Sequence, residues 1–234
     1  MGLKFKCICC GECCKHISDK DSTSSGLPLF EWEVEKIKKL AEHHTRVSGL
    51  QSRNKIKLNI KPIDFVFDRK SKKYFCTGYV LKDEPCIFLK DNKCLIHKDR
   101  PIVCRAFPIA RNPEFLDDVP SLSCFSNCPN FDFKAFLGES LGLEEGKPFD
   151  LSKEKILAEY SKTFDRETMK SSFARDKLLS QFDEIMATLS DEGLIDIEVV
   201  DKVPDGKKVI PFLKFLVEEG FMTEQDREKM IRSI

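Results

Sequence analysis

Apolar residues recur along this chain with changing periods, and each change marks a structural element. Phe30, Val34, Ile37 and Ala41 fall three or four apart with Glu and Lys between them, which predicts an amphipathic helix over 29–44. It follows a polar, loop-like stretch from Ser18 to Gly26. Ile56, Leu58 and Ile60 then alternate with Lys and Asn as a strand would. Ile63–Phe67 and Lys73–Leu81 flank the turn residues Asp68-Arg69-Lys70-Ser71 and predict a β-hairpin. A tighter hairpin is expected where Cys86-Ile87-Phe88-Leu89 and Cys94-Leu95-Ile96 enclose Lys90-Asp91-Asn92-Lys93, placing Cys86 close to Cys94 on the facing strand. Asp99 is positioned to cap a short helix that carries Pro101 in its first turn and ends at Pro108.

Helical spacing dominates the second half. Ile156, Leu157, Tyr160 and Phe164 mark one helix. Leu178, Phe182, Ile185, Met186 and Leu189 mark the next, which should start near Asp165 and stop at Gly193. Ile195, Ile197 and Val199 alternate as a short strand. Asp205–Glu219 reads as a further helix despite Pro211, with Gly220 beyond its end. Thr223 and Asp226 form a capping-box-like start for the last helix.

Cysteine usage divides this pattern. All eleven cysteines lie between Cys7 and Cys128, and five occupy the octet Cys7-Ile8-Cys9-Cys10-Gly11-Glu12-Cys13-Cys14. Residues 1–135 also hold all four histidines and eight of the eleven prolines. The expected architecture is α+β: a small cysteine-rich metal-binding domain of short hairpins and helices over 1–135, then a mainly helical region over 150–234. Nineteen phenylalanines and a 41% hydrophobic fraction supply a core that does not depend on metal. Lys plus Arg equals Asp plus Glu at 39 each, so the basic balance of a nucleic-acid binder is absent and no such partner is expected. The start shows no apolar leader, and no apolar run approaches a membrane span. The expected location is therefore cytoplasmic, where thiols stay reduced, and that sets metal or cluster ligation ahead of disulfides.

Cys7, Cys10 and Cys13 form a C-x2-C-x2-C run, the opening of a bacterial ferredoxin loop without its closing C-x3-C-P. Two residues between thiolates let both sulfurs face one ion, with Gly11 where a tight turn needs a left-handed backbone. Cys14, adjacent to Cys13, is read as bridging or as serving a neighbouring site. Cys76 alternates with Tyr74 and Gly78 in a strand pattern and should be buried. Cys9 and Cys124 are evenly balanced between ligation and packing. His97, beside Cys94, is read as packing or donating a hydrogen bond ahead of ligating, and His16 is similar. His43 and His44 close a helix, where a cation favours the dipole. Arg100 and Arg105 suit the surroundings of a thiolate-rich centre, because a guanidinium offsets its negative charge and raises its reduction potential. Both zinc and iron accept four sulfurs. No G-x-G, P-loop or H-E-x-x-H occurs.

Phe5-x-Cys7-x-x-Cys10-Gly11-x-Cys13-Cys14, Pro85-Cys86-x-Phe88-Leu89 and Cys94-x-Ile96-His97-x-x-Arg100-Pro101-x-x-Cys104-Arg105-x-Phe107-Pro108 occur in that order. Over about residues 5–130 they resemble the YkgJ-type cysteine-cluster family, described as a zinc- or iron-chelating CxxCxxCC domain or an Fe–S-cluster-containing protein. The resemblance implies that Cys7, Cys10, Cys13, Cys14, Cys86, Cys94 and Cys104 are metal ligands, with Cys128 as the eighth through Cys128-Pro129. The implied cofactor is an iron–sulfur cluster, with 4Fe–4S preferred, or zinc, and the implied role is redox or metal handling. Three departures stand out: His97 where a tyrosine is usual, the extra Cys9, and Asn130 where a glycine is common. The family shares its cysteine core with bacterial flagellin lysine methylases, so a protein-modifying enzyme resembling a lysine N-methylase is a second reading. A structural zinc module that docks a protein partner is a third.

Overall fold

The computed structural model of the protein describes residues 4–15, 26–47, 58–83, 85–109, 128–132, 135–142 and 152–232. A single helical turn, α1 (Glu12–Lys15), follows Gly11, and a short strand, β1 (Leu27–Leu29), leads into α2 (Glu31–Val47). The expected apolar face of α2 is buried through Phe30, Val34, Ile37 and Ala41. Its first turn closes on itself, because the Phe30 N–H donates to the Glu33 carboxylate at 3.0 Å.

The expected hairpin forms from β2 (Ile60–Asp68) and β3 (Lys73–Leu81), antiparallel from Ile60 opposite Leu81 to Asp68 opposite Lys73. Ile56 lies outside the described residues. Asp68 locks the turn by accepting from Lys70 N, Ser71 N and Ser71 Oγ at 3.2, 2.9 and 2.6 Å. The second hairpin is shorter than expected, with β4 (Leu89–Lys90) and β5 (Lys93–Cys94) joined by Asp91 and Asn92, both at positive φ. Such a two-residue turn dictates the register. It sets Leu89 opposite Cys94, so Cys86 lies upstream of the ladder and is not the strand partner of Cys94.

Asp99 is not the cap it was expected to be. It belongs to a 3-10 turn over His97–Asp99, and α3 (Ile102–Ala106) starts after Pro101 with no side-chain cap. A residue before proline is driven to extended backbone, and Arg100 has ψ 146, so the helix can begin only beyond it. After a π-type turn at Phe136–Ser140 come α4 (Lys153–Thr163) and α5 (Arg166–Asp191). As the sequence suggests, Asp165 starts α5 by accepting from Thr168 N at 2.8 Å, and Gly193, at φ +65, follows its end. The strand β6 (Ile197–Val200) also matches expectation.

Residues 205–219 differ from the continuous helix expected of them. Val209–Pro211 form a strand, β7, and only Phe212–Glu218 are helical, as α6. Pro211 has no N–H to give to a helix interior, so it serves as the residue before the first turn. The last helix, α7 (Glu224–Arg232), opens with the expected box: Asp226 N donates to Thr223 Oγ1, and Thr223 Oγ1 donates to the Asp226 carboxylate.

Contacts gather the chain into two units, residues 1–15 with 89–179 and residues 16–88 with 180–234. Both take segments from either side of the end of the cysteine-rich stretch. In the second unit, β3 pairs with β2 along one edge, and β1 and β7 share the other; β6 extends the sheet beyond β2. Phe75 stacks on Phe215 and Phe212 at 4.4 and 5.4 Å, and Phe182 meets Phe212 edge-on at 5.2 Å. In the first unit the core is Phe5, Ile109, Phe131, Phe136, Leu141, Ile156, Tyr160, Phe164 and Met169. Among the described residues no helix is long and apolar enough to cross a membrane.

Candidate metal centre

The aromatic core of the first unit fixes two cysteine segments that are far apart in sequence. Phe5, two residues before Cys7, meets Phe131, three residues after Cys128, edge-on at 5.8 Å. The backbone is tied as well: Phe5 N donates to Thr163 O and the Asn130 side-chain amide donates to Lys6 O, both at 2.7 Å. Cys7 and Cys128 both pack against this core. Asn130, a departure from the family pattern, therefore has a local structural task.

Beyond Cys7 the chain turns sharply. Cys9 adopts φ +56 and Gly11 φ +76, and Cys14 N donates to Gly11 O at 2.9 Å. The glycine is required here by conformation and by space. A β-carbon on it would stand 2.6 Å from Leu89 Cδ1 and 2.8 Å from the Asn92 carbonyl oxygen. The close fit brings the first cysteine run against the β4–β5 hairpin, which carries Cys94.

There the side chains converge. Cys7 Sγ lies 3.7 Å from His97 Nε2, and Arg100 Nη1 approaches the same sulfur at 3.9 Å. The ligand atoms of Cys7, Cys9 and His97 all fall within 4.8 Å of one another, close enough to share a metal ion. A hydrogen bond from Cys14 is the main reason that the Cys94 thiol falls to about 7, assisted by the Ile96 N–H and the Arg100 charge and opposed by burial. Cys14 lowers Cys13 in the same way. Burial raises Cys128, and the nearby Cys10, Cys13 and Cys7 raise it further. Cys9 is raised by burial first and then by its neighbour Cys7. His97 is lowered, by burial and then by the Arg100 charge, which favours the neutral imidazole that ligates metals.

No disulfide joins the described cysteines. A profile of the CxxCxxCC family, described as "Putative zinc- or iron-chelating domain", matches residues 6–125, just over half of the 234-residue chain. The chain belongs to the CxxCxxCC family. No curated protein and no solved structure matches it.

Within this CxxCxxCC protein, the residues singled out by sequence fall into three groups. Cys7, Cys10, Cys13, Cys14, Cys94 and Cys128 interact with one another in the first unit, and Cys104 sits half-buried on α3 of that unit. Cys86 is buried and belongs to the second unit. Cys76 is the buried strand residue expected, its thiol pushed up to about 11 by burial. Cys124 and His16 lie outside the described residues. The proximity of Cys9 to His97 carried no signal in the sequence, since residues 88 positions apart meet only when the chain is folded.

The donor set suits a thiolate-bound metal. Soft sulfur ligands select zinc, copper or iron–sulfur centres, whose combined charge is negative. Among the described residues, two buried guanidinium nitrogens, Arg100 Nε and Arg105 Nε, have no hydrogen-bond partner. A buried donor left unpaired costs about 1–3 kcal/mol, and an anionic centre would offset that cost. Arg100 also reaches Glu167 at 3.7 Å, but this carboxylate is 61% exposed and neutralises it weakly.

Proposed function

We propose that the protein holds an iron–sulfur cluster of the 4Fe–4S type and takes part in electron transfer. The proposed ligands are drawn from Cys7, Cys10, Cys13, Cys14, Cys94, Cys104 and Cys128, and Cys86 is included on the family resemblance alone. The observation that carries the reading is the meeting of cysteine thiols from separate segments beside a buried guanidinium. Cys14 hydrogen-bonds toward both Cys13 and Cys94, while Arg100 approaches Cys7. Zinc and a 4Fe–4S cluster each take four thiolates, so the number of thiols does not separate them; the ferredoxin-like spacing of Cys7, Cys10 and Cys13 is what favours the cluster.

When bound, such a cluster supplies reversible one-electron transfer. The chain's own residues do the remainder. The Phe5–Phe131 contact holds the segments of Cys7 and Cys128 in place. Arg100 stabilises negative charge on the sulfurs, and the lowered Cys94 and Cys13 release their protons readily on ligation. The reading places the protein in a reducing compartment such as the cytoplasm.

Anaerobic purification followed by iron, sulfide and zinc analysis and an absorption spectrum tests it. Roughly four iron and four sulfide per chain with broad charge-transfer absorption are expected. A colourless protein with stoichiometric zinc and no iron refutes it.

A further inference from the structure

The family pattern C-x2-C-x2-C-C leaves the position of Cys9 open, yet the fold brings this thiol to a histidine supplied by a distant segment. We infer that Cys7, Cys9 and His97 form a mixed thiolate–imidazole site for one thiophilic divalent cation of the zinc class. This goes beyond chelation by the family cysteines: it takes Cys7 from their set and leaves Cys10, Cys13, Cys14, Cys94, Cys104 and Cys128 to supply the cluster.

The distances fit the ion. Zinc–sulfur bonds of about 2.3 Å and a zinc–nitrogen bond of about 2.0 Å at tetrahedral angles separate sulfur from nitrogen by about 3.5 Å. Cys7 Sγ and His97 Nε2 stand 3.7 Å apart. All three donors lie within 4.8 Å, so movements of about 1 Å bring them onto one ion. The three residues are all half-buried, which leaves a path for entry without full hydration.

The charges balance too. Binding converts two thiols to thiolates and releases two protons; the thiolates cancel the cation, and the neutral imidazole adds no charge. The resulting centre is neutral, so Arg100, 3.9 Å from Cys7, is not repelled by it. Cys9 holds a side chain in the left-handed region, at φ +56. Backbone strain of this kind costs about 1–2 kcal/mol and collects at ligand clamps. With three protein ligands, water completes the tetrahedron.

The test loads the full-length protein with Zn2+ or Co2+ and counts metal alongside iron. One zinc equivalent beyond any iron centre and tetrahedral cobalt absorption are expected. Cys9→Ala and His97→Phe should each weaken zinc binding by roughly 100-fold while leaving any iron absorption unchanged. Unchanged zinc affinity in both variants overturns the site. Loss of iron absorption together with zinc also overturns it, because Cys9 and His97 would then serve the family's centre. Cys10→Ser separates the two readings: full iron retention there sinks the cluster proposal and leaves the zinc site standing. If the variants fail to fold, zinc-edge X-ray absorption of the unsubstituted, zinc-loaded protein decides. A shell containing a histidine nitrogen supports the site, and a sulfur-only shell overturns it.

Discussion

Gly11→Ala should be among the most damaging small substitutions in the protein, although it adds a single methyl group. Two separate effects combine. Gly11 sits at φ +76, a conformation that costs a residue bearing a β-carbon about 1–2 kcal/mol. The added carbon also meets Leu89 Cδ1 at 2.6 Å and Asn92 O at 2.8 Å. The leucine methyl can swing aside. The Asn92 carbonyl cannot, because the flanking Leu89–Cys94 and Lys90–Lys93 pairs hold its turn in register. Overpacking against backbone costs about 1–3 kcal/mol, so the expected loss is about 2–5 kcal/mol. Gly142→Ala is the control. It shares the left-handed backbone, at φ +67, but has nothing among the described residues within 4 Å of the new carbon, and should lose about 1–2 kcal/mol. Urea unfolding of both variants, followed by circular dichroism, gives the comparison. The Gly11 variant should also retain less metal, because its turn separates Cys10 from Cys13. Equal losses of stability in the two variants would refute the argument that contact with the β4–β5 hairpin sets the requirement for glycine.

Asp68→Ala should cost about 1–3 kcal/mol in urea unfolding, because it removes the acceptor for the partly buried donors of the β2–β3 turn and for Asp196 N, which Asp68 accepts at 2.8 Å. Burial pushes the Asp68 carboxyl up, but hydrogen bonds from Asp196, Ser71 and Lys70 outweigh it and hold it below 3.8. Its contribution is therefore full above pH 3.8 and is lost as pH falls through the lower folded value; Asp68→Asn should flatten that part of a pH–stability curve. Glu31 has the opposite sign. Burial raises it despite the Arg227 ion pair at 3.1 Å, so its contribution is full below pH 4.5 and is lost as pH rises through the raised value. Arg227→Met leaves that carboxylate without its cation and should lower stability at neutral pH by about 2–3 kcal/mol, measured by the same unfolding assay. Arg100→Met should make the midpoint potential of a bound cluster more negative by on the order of 50 mV in a redox titration, and an unchanged potential would remove Arg100 from the centre.

What could be read from the sequence alone was what neighbouring residues decide among themselves. The spacing of Val34, Ile37 and Ala41 specified α2; Asp165 and Gly193 bracketed α5; and Asp68-Arg69-Lys70-Ser71 announced the β2–β3 turn. Gly11 was legible for the same reason, since a turn between closely spaced cysteines needs a left-handed residue. Where the reading failed, the cause was either a local rule of stereochemistry given too little weight or a partner from elsewhere in the chain. Pro101 and Pro211 each delayed a helix start, and Pro211 became strand because β3 offered its edge to Val209 and Ile210. Membership of the thiol cluster was decided only by the fold. Cys14 meets Cys94, and Cys7 meets His97 and Arg100, because the fit of Gly11 against Leu89 and Asn92 holds the first cysteine run to the β4–β5 hairpin. Local spacing follows from backbone geometry over a few residues. The meeting of groups ninety residues apart is set by which surfaces bury one another, and only the tertiary structure carries that.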